Sequence, residues 1–240
     1  MIGTVFAGQF VLVRRWRADD GKMLNTLQMP VNVHNVSLSR DGSRYVFTIC
    51  DPSQREDTLR IFETMGNAIR SITLNISEYA LAFSDDSSGL PTRKTSYTTG
   101  TQTETIRVRS RASGAVLRSV DTSKLEISNW AVRGSTIWGY SSSKDQLTQI
   151  DPSGVVTTQA FKINQNQARG ILGFNISPNA QQVAVRTYID ARVYNLSDLR
   201  TPIKTIATTR LDSSLEWSAD GTRLVLAFAE ARTPALGRLS

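Results

Sequence analysis

The sequence has one cysteine, Cys50, and one histidine, His34. A single thiol excludes an internal disulfide framework and leaves a four-ligand zinc site without its usual sulfurs. A Ser-His-Asp triad would have to use His34, and no nucleophile-elbow signature stands beside it. No run of about 18 apolar residues occurs, so no transmembrane segment is expected. The opening MIGTVFAGQF has neither a basic leader nor a long apolar stretch, which reads as an intracellular, cytoplasmic chain without a signal peptide. No Walker loop, dinucleotide fingerprint or calcium loop is present, so neither cofactor nor metal is expected. Sustained helical spacing of apolar residues is also missing, and Gln165–Arg169 offers one helical turn at most.

What remains is a chain of 240 residues, 40% hydrophobic and 20% charged, enough to bury a sizeable core. Its net charge is +7, and 22 of the 28 basic residues are arginine. Arginine presents a planar fork suited to carboxylates and phosphates. The charges are spread through both halves without a basic tail or an acidic block, so an evenly basic, solvated surface is the simplest reading.

The chain repeats itself. An apolar stretch, a serine, a turn pair and a second apolar stretch recur. The copies are Val36-Ser37-Leu38-Ser39-Arg40-Asp41-Gly42, Leu81-Ala82-Phe83-Ser84-Asp85-Asp86, Phe174-Asn175-Ile176-Ser177-Pro178-Asn179 and Leu215-Glu216-Trp217-Ser218-Ala219-Asp220-Gly221. A degenerate copy is Trp130-Ala131-Val132-Arg133-Gly134. Ser39 and Ser84 are 45 residues apart, and Ser177 and Ser218 are 41 apart. A period in the forties is that of a four-stranded propeller blade. A second recurring element follows each turn: Leu59-Arg60-Ile61-Phe62-Glu63, Thr105-Ile106-Arg107-Val108-Arg109, Leu147-Thr148-Gln149-Ile150-Asp151 and Ala191-Arg192-Val193-Tyr194-Asn195, with Val11–Arg17 as the N-terminal version. Tight turns at Asp20-Gly21, Ser113-Gly114 and Ser153-Gly154 lead into a further strand.

This pattern resembles the WD-repeat and WD-like β-propeller superfamily. The Ser-x-Asp-Gly segment matches the turn between that family's first two strands, and Phe62-Glu63 and Tyr194-Asn195 stand where its Trp-Asp dipeptide stands. No Gly-His dipeptide occurs, so the hydrogen-bond network of strict repeats is absent. The resemblance implies an all-β fold, a β-propeller of four-stranded antiparallel blades in a single domain over 1–240. Five blades are expected, at 214–228 with 8–28, then at about 33–75, 78–121, 125–163 and 170–208. The fifth would close by pairing of the N- and C-terminal strands. The polar interval Ser84–Thr103 reads as an extended inter-strand loop with a strand near Ser96–Thr99.

The function that follows is a non-enzymatic protein–protein interaction scaffold, an inference from the fold type. Alternatives are a structural subunit of a large nucleoprotein or viral assembly, meeting acidic partners or nucleic acid through arginine, and a glycan-binding propeller. Period two puts Arg107, Arg109 and Arg111 on one face of a strand. With Arg118, Arg93 and Lys94, and with Arg14 and Arg15 around Trp16, they are the candidate partner-binding residues. The blander reading is guanidinium groups that reach water and discourage edge pairing. Cys50 reads as a small core residue. Asp19-Asp20 and Asp85-Asp86 read as turn residues, and four Asn-x-Ser triplets as chance matches in a serine-rich β chain.

Overall fold

A computed structural model describes residues 2–7, 10–17, 20–30, 33–39, 43–49, 56–63, 68–75, 77–84, 89–98, 100–163, 171–207, 213–218, 220–228 and 235–238. Cys50, Asp19, Asp85, Asp86 and 165–169 lie outside them. The described chain is all-β, built from antiparallel sheets of the β-propeller blade type. Its one helical turn is a 3-10 turn at Ser123–Leu125. Among the described residues no helix is long and apolar enough to cross a membrane.

Two compact units divide the chain, Met1–Lys124 and Leu125–Ser240, and the described residues of each form three sheets. In the first unit, β1 (Ile2–Ala7), β2 (Phe10–Trp16) and β3 (Met23–Pro30) make a three-stranded sheet. Next come β4 (Val33–Leu38), β5 (Arg44–Ile49), β6 (Glu56–Glu63) and β7 (Ala68–Asn75). The third sheet is β8 (Glu78–Ala80), β9 (Gly89–Thr98), β10 (Thr101–Ser110) and β11 (Val116–Asp121). In the second unit, β12 (Asn129–Arg133), β13 (Thr136–Ser141), β14 (Gln146–Ile150) and β15 (Val156–Ala160) form one sheet. Then follow β16 (Ile171–Ile176), β17 (Gln182–Thr187), β18 (Asp190–Asn195) and β19 (Lys204–Ala207). The last sheet is β20 (Ser213–Trp217), β21 (Arg223–Phe228) and β22 (Ala235–Arg238). Within every sheet the strands are neighbours in sequence order.

Four sheets therefore have four strands each, at the boundaries the repeat period implies. The ends differ from the expected shared fifth blade. The N-terminal strands gain β1 as a partner of β2, and the C-terminal strands gain β22 as a partner of β21, so each end builds its own sheet. Short strands at the two margins, outside the repeat motif, supply the hydrogen bonds that closure was expected to provide.

The recurring serine has a structural cause. Its hydroxyl accepts the backbone N–H five residues on, at 2.9 Å for Ser39 from Arg44, 3.0 Å for Ser84 from Gly89, 2.9 Å for Ser177 from Gln182 and 2.9 Å for Ser218 from Arg223. In each case the serine N–H also donates to the carbonyl of that same partner. One side chain thus closes the turn between the first and second strands of four sheets. The degenerate copy dispenses with it, because Gly134 at φ +61° makes a tight turn between Arg133 and Thr136.

Each unit packs its own core. In the first, Val46, Ile61, Ile72 and Leu74 of the second sheet meet Ala80, Phe83 and Leu90 of the third. In the second, Trp138, Tyr140, Leu147 and Phe161 meet Phe174, Val183, Val185 and Tyr194. Phe161 packs edge-on against both Tyr140 and Tyr194, with ring centroids 5.8 and 5.1 Å away.

Candidate interaction surface

The third sheet carries most of the arginines singled out in the sequence. Thr92, Arg107 and Arg109 share the face of Glu78, because alternate residues of neighbouring strands fall on one side in this register. Glu78 is fully buried at 0% exposure. Arg109 clasps it with two parallel bonds, Nε to Oε1 at 2.7 Å and Nη2 to Oε2 at 2.9 Å. Arg107 Nη1 adds a bond of 3.0 Å to Oε2, and the Thr92 hydroxyl donates to Oε1 at 2.6 Å. Arg109 also donates to the Gly114 carbonyl at 2.8 Å. Burial pushes the Glu78 carboxyl up, but the Arg109 and Thr92 hydrogen bonds and the two guanidinium charges outweigh it, so Glu78 titrates below its ordinary range.

The opposite face holds a second network. Arg93 Nε donates to Glu104 at 2.6 Å, and its Nη1 donates to the Tyr79 hydroxyl. The Arg93 guanidinium also lies over the Tyr79 ring, 5.8 Å from its centroid. The Thr122 hydroxyl reaches Glu104 as well. Arg118, opposite Val108, belongs to this face.

These networks brace the root of one hairpin. Strands β9 and β10 run ten residues each, far beyond their neighbours. Among the described residues the flanking chain keeps company with the pair as far as Thr95, whose N–H donates to Ser77, and Glu104, whose carbonyl accepts from Thr122. Past those points, among the described residues, Ser96–Thr98 and Thr101–Thr103 pair only with each other, and Gly100 at φ +82° takes part in the turn. The interval read as a loop is thus largely strand. Its hydroxyl-rich sequence resembles a loop, yet Thr and Tyr suit a pleated ribbon. The tip carries no charge. Tyr97 is 73% exposed, and Thr101, Gln102 and Thr103 are exposed beside it.

The candidate arginines are divided. Arg14 and Arg15 stand half-buried in β2, in a different sheet. Arg107 and Arg109 meet each other through Glu78, and Arg93 turns to Glu104. Lys94 and Arg111 are half-buried in the third sheet and the turn after β10. Glu78, the centre of the arrangement, escaped the sequence reading. Its only signal there is a carboxylate in the short apolar strand Glu78-Tyr79-Ala80 that precedes the serine turn.

In the second unit the first strands β12, β16 and β20 are linked by polar side chains. Arg133 donates to the Ile176 carbonyl at 2.9 Å and to Asn175 at 3.1 Å, and Asn175 donates to Glu216 at 2.7 Å. The Trp217 indole donates back to the Asn175 carbonyl at 3.3 Å. A groove of about 400 Å³ lies over the fourth sheet, lined by Trp138, Leu147, Gln149, Thr157, Gln159 and Leu196 among others, with no charged side chain in its lining. Among the described residues no group of three or more His, Cys, Asp or Glu is placed to hold a metal ion.

No family model matches the chain, and no curated protein matches it by sequence. Solved structures do resemble it. A functionally unknown protein from Desulfotomaculum acetoxidans DSM 771 superposes with a TM-score of 0.61 at 13% identity, covering 100% of this chain and 78% of that one. Kuenenia stuttgartiensis hydrazine synthase gives a TM-score of 0.60 at 14% identity, covering 97% and 90%. At such identities the likeness is one of fold.

Proposed function

We propose that the chain is a non-enzymatic protein-interaction scaffold of the WD-like propeller kind, and that the β9–β10 hairpin is its binding element. The observation that carries this reading is the projecting ribbon itself. Its root is fixed by buried ion pairs on both faces, while its tip offers a solvated tyrosine among Ser, Thr, Gly and Gln. Tyrosine gives large contact area at low entropic cost, and small hydroxyl residues supply adaptable hydrogen bonds. A rigid root lowers the ordering cost of binding. The test is an affinity pull-down from the native source with wild type and Tyr97→Ala. The exposed side chain makes no core contact, so folding should be unchanged by circular dichroism. Loss of a specific partner with Tyr97→Ala supports the reading, and recovery of the same proteins by both chains overturns it.

The net charge of +7 supports a second reading, a structural subunit that meets acidic partners or nucleic acid. Arg15, Lys94 and Arg111 make no ion pair among the described residues and would be its contacts, whereas Arg107, Arg109 and Arg93 are engaged internally. Retention on heparin with a steep salt dependence is the expected behaviour on this reading. Passage through heparin at low salt removes it.

A further inference from the structure

Every outer strand of a blade is a potential sheet edge, and natural edges are blunted by charge, proline or cover. Among the described outer strands, β11 carries Arg118 and Asp121, β7 carries Arg70, β19 carries Lys204 and β22 carries Arg238. β3 has no charge but ends in Pro30, and Met29 is buried. β15 has none of these protections. All five residues, Val156-Thr157-Thr158-Gln159-Ala160, are exposed, and no charge occurs between Asp151 and Lys162.

The ladder fixes which backbone groups of β15 are unused. At its two ends Asp151 N–H donates to the Val155 carbonyl at 3.0 Å and Phe161 N–H to the Asp145 carbonyl at 2.8 Å. Hydrogen-bonded pairs alternate in an antiparallel ladder, so Thr157 opposite Gln149 and Gln159 opposite Leu147 bond inward. Val156, Thr158 and Ala160 therefore direct N–H and C=O outward, and among the described residues no strand lies beyond them. A two-fold axis at Thr158 would set Thr158 against its own copy and Val156 against Ala160. In that register every outward group of one strand meets an outward group of the other.

We propose that β15 is a self-association edge, pairing antiparallel with β15 of a second copy of this chain about Thr158. Absence of charge makes the strand compatible with itself, and the register satisfies its main-chain groups from both sides. Each chain carries +7, so the contact works against long-range repulsion and tightens as salt screens that charge. Such salt behaviour is opposite to that of an arginine-mediated contact with an acidic partner.

Analytical ultracentrifugation of the purified full chain over a concentration series, at low and high salt, is the first arm. A reversible monomer–dimer equilibrium favoured by salt is expected, and a strictly monomeric chain throughout overturns the proposal. The second arm is a charge exchange at the axis. Thr158→Lys and Thr158→Glu should each weaken self-association about tenfold or more, because like charges then face each other across the contact. An equimolar mixture of the two should associate again. Thr158→Pro should also abolish pairing, since it removes an outward N–H and leaves the inward ladder intact. Self-association that survives Thr158→Lys and Thr158→Pro, or a mixture that stays monomeric, places any dimer contact elsewhere and overturns the proposal.

Discussion

At the scale of the residue, Glu78 decides how the arginines of the third sheet behave. A carboxylate at 0% exposure is costly unless its charge and lone pairs are met, and here two guanidinium groups and a hydroxyl meet them. Removing it alone strands two cations, one of them 8% exposed. Glu78→Ala is expected to cost about 3–5 kcal/mol by urea denaturation, the range for breaking one side of a buried pair. Glu78→Leu combined with Arg109→Met should recover much of that loss, because the double change removes both buried charges together. The pH dependence follows from the sign of the shift. The folded carboxyl titrates below its ordinary value of 4.5, so its stabilisation is present above that value and is lost as pH falls below it. Glu78→Gln should therefore flatten the acid limb of a stability-against-pH curve. Asp220 is a solvent-exposed counterpart. Hydrogen bonds from the Ser218 hydroxyl, the Thr222 N–H and the Thr222 hydroxyl push it down to about 2. A carboxyl NMR titration should find its midpoint near that value, and Ser218→Ala should move it upward.

At the scale of the element, the turn serine is the feature most legible in the sequence. Four copies stood at blade spacing, and all four make the same bond to the residue five places on. Repetition exposed it, since a local hydrogen bond needs only a local motif. Ser177→Ala should lose about 1 kcal/mol by thermal or urea unfolding, as expected for one buried hydrogen bond. The glycine turns were legible for the same reason, and Gly114 shows what else they carry. It sits at φ +76°, and a Cβ there would lie 2.7 Å from Ile72 Cγ2 in the neighbouring sheet. Gly114→Ala therefore meets both an unfavourable backbone and a packed side chain, whereas at Gly100, with φ +82°, a Cβ would meet nothing within 4 Å. Unfolding midpoints should fall clearly further for Gly114→Ala than for Gly100→Ala, and equal losses would show that the Ile72 contact is unimportant. The length of the β9–β10 hairpin was not legible, because Thr and Ser serve loops and ribbons alike and only pairing partners distinguish them.

At the scale of the whole molecule, every described ladder joins strands adjacent in sequence, so each sheet is a local unit of about forty-five residues or fewer. That is why blade boundaries could be read from spacing alone. It is also why the candidate site could not. Glu78 and Arg109 are 31 residues apart and meet because β8 and β10 flank β9 in the folded sheet, a relation that no motif records. The same modularity makes a prediction about cooperativity. Repeat architectures distribute stability over units and their nearest-neighbour contacts, and local opening follows the weakest unit. Glu78→Gln removes the central charge of the third sheet while leaving the side chains of β16–β19 untouched. Native-state hydrogen exchange should then accelerate first at amides of β8–β11, and next at Val46 and Ile61, which share a core cluster with Ala80 and Leu90. Amides of β17 and β18, which pack in a separate cluster with Trp138 and Phe161, should keep their wild-type protection. Uniform acceleration across both units would instead mark the chain as a single cooperative block, in which the buried ion pair stabilises all sheets alike.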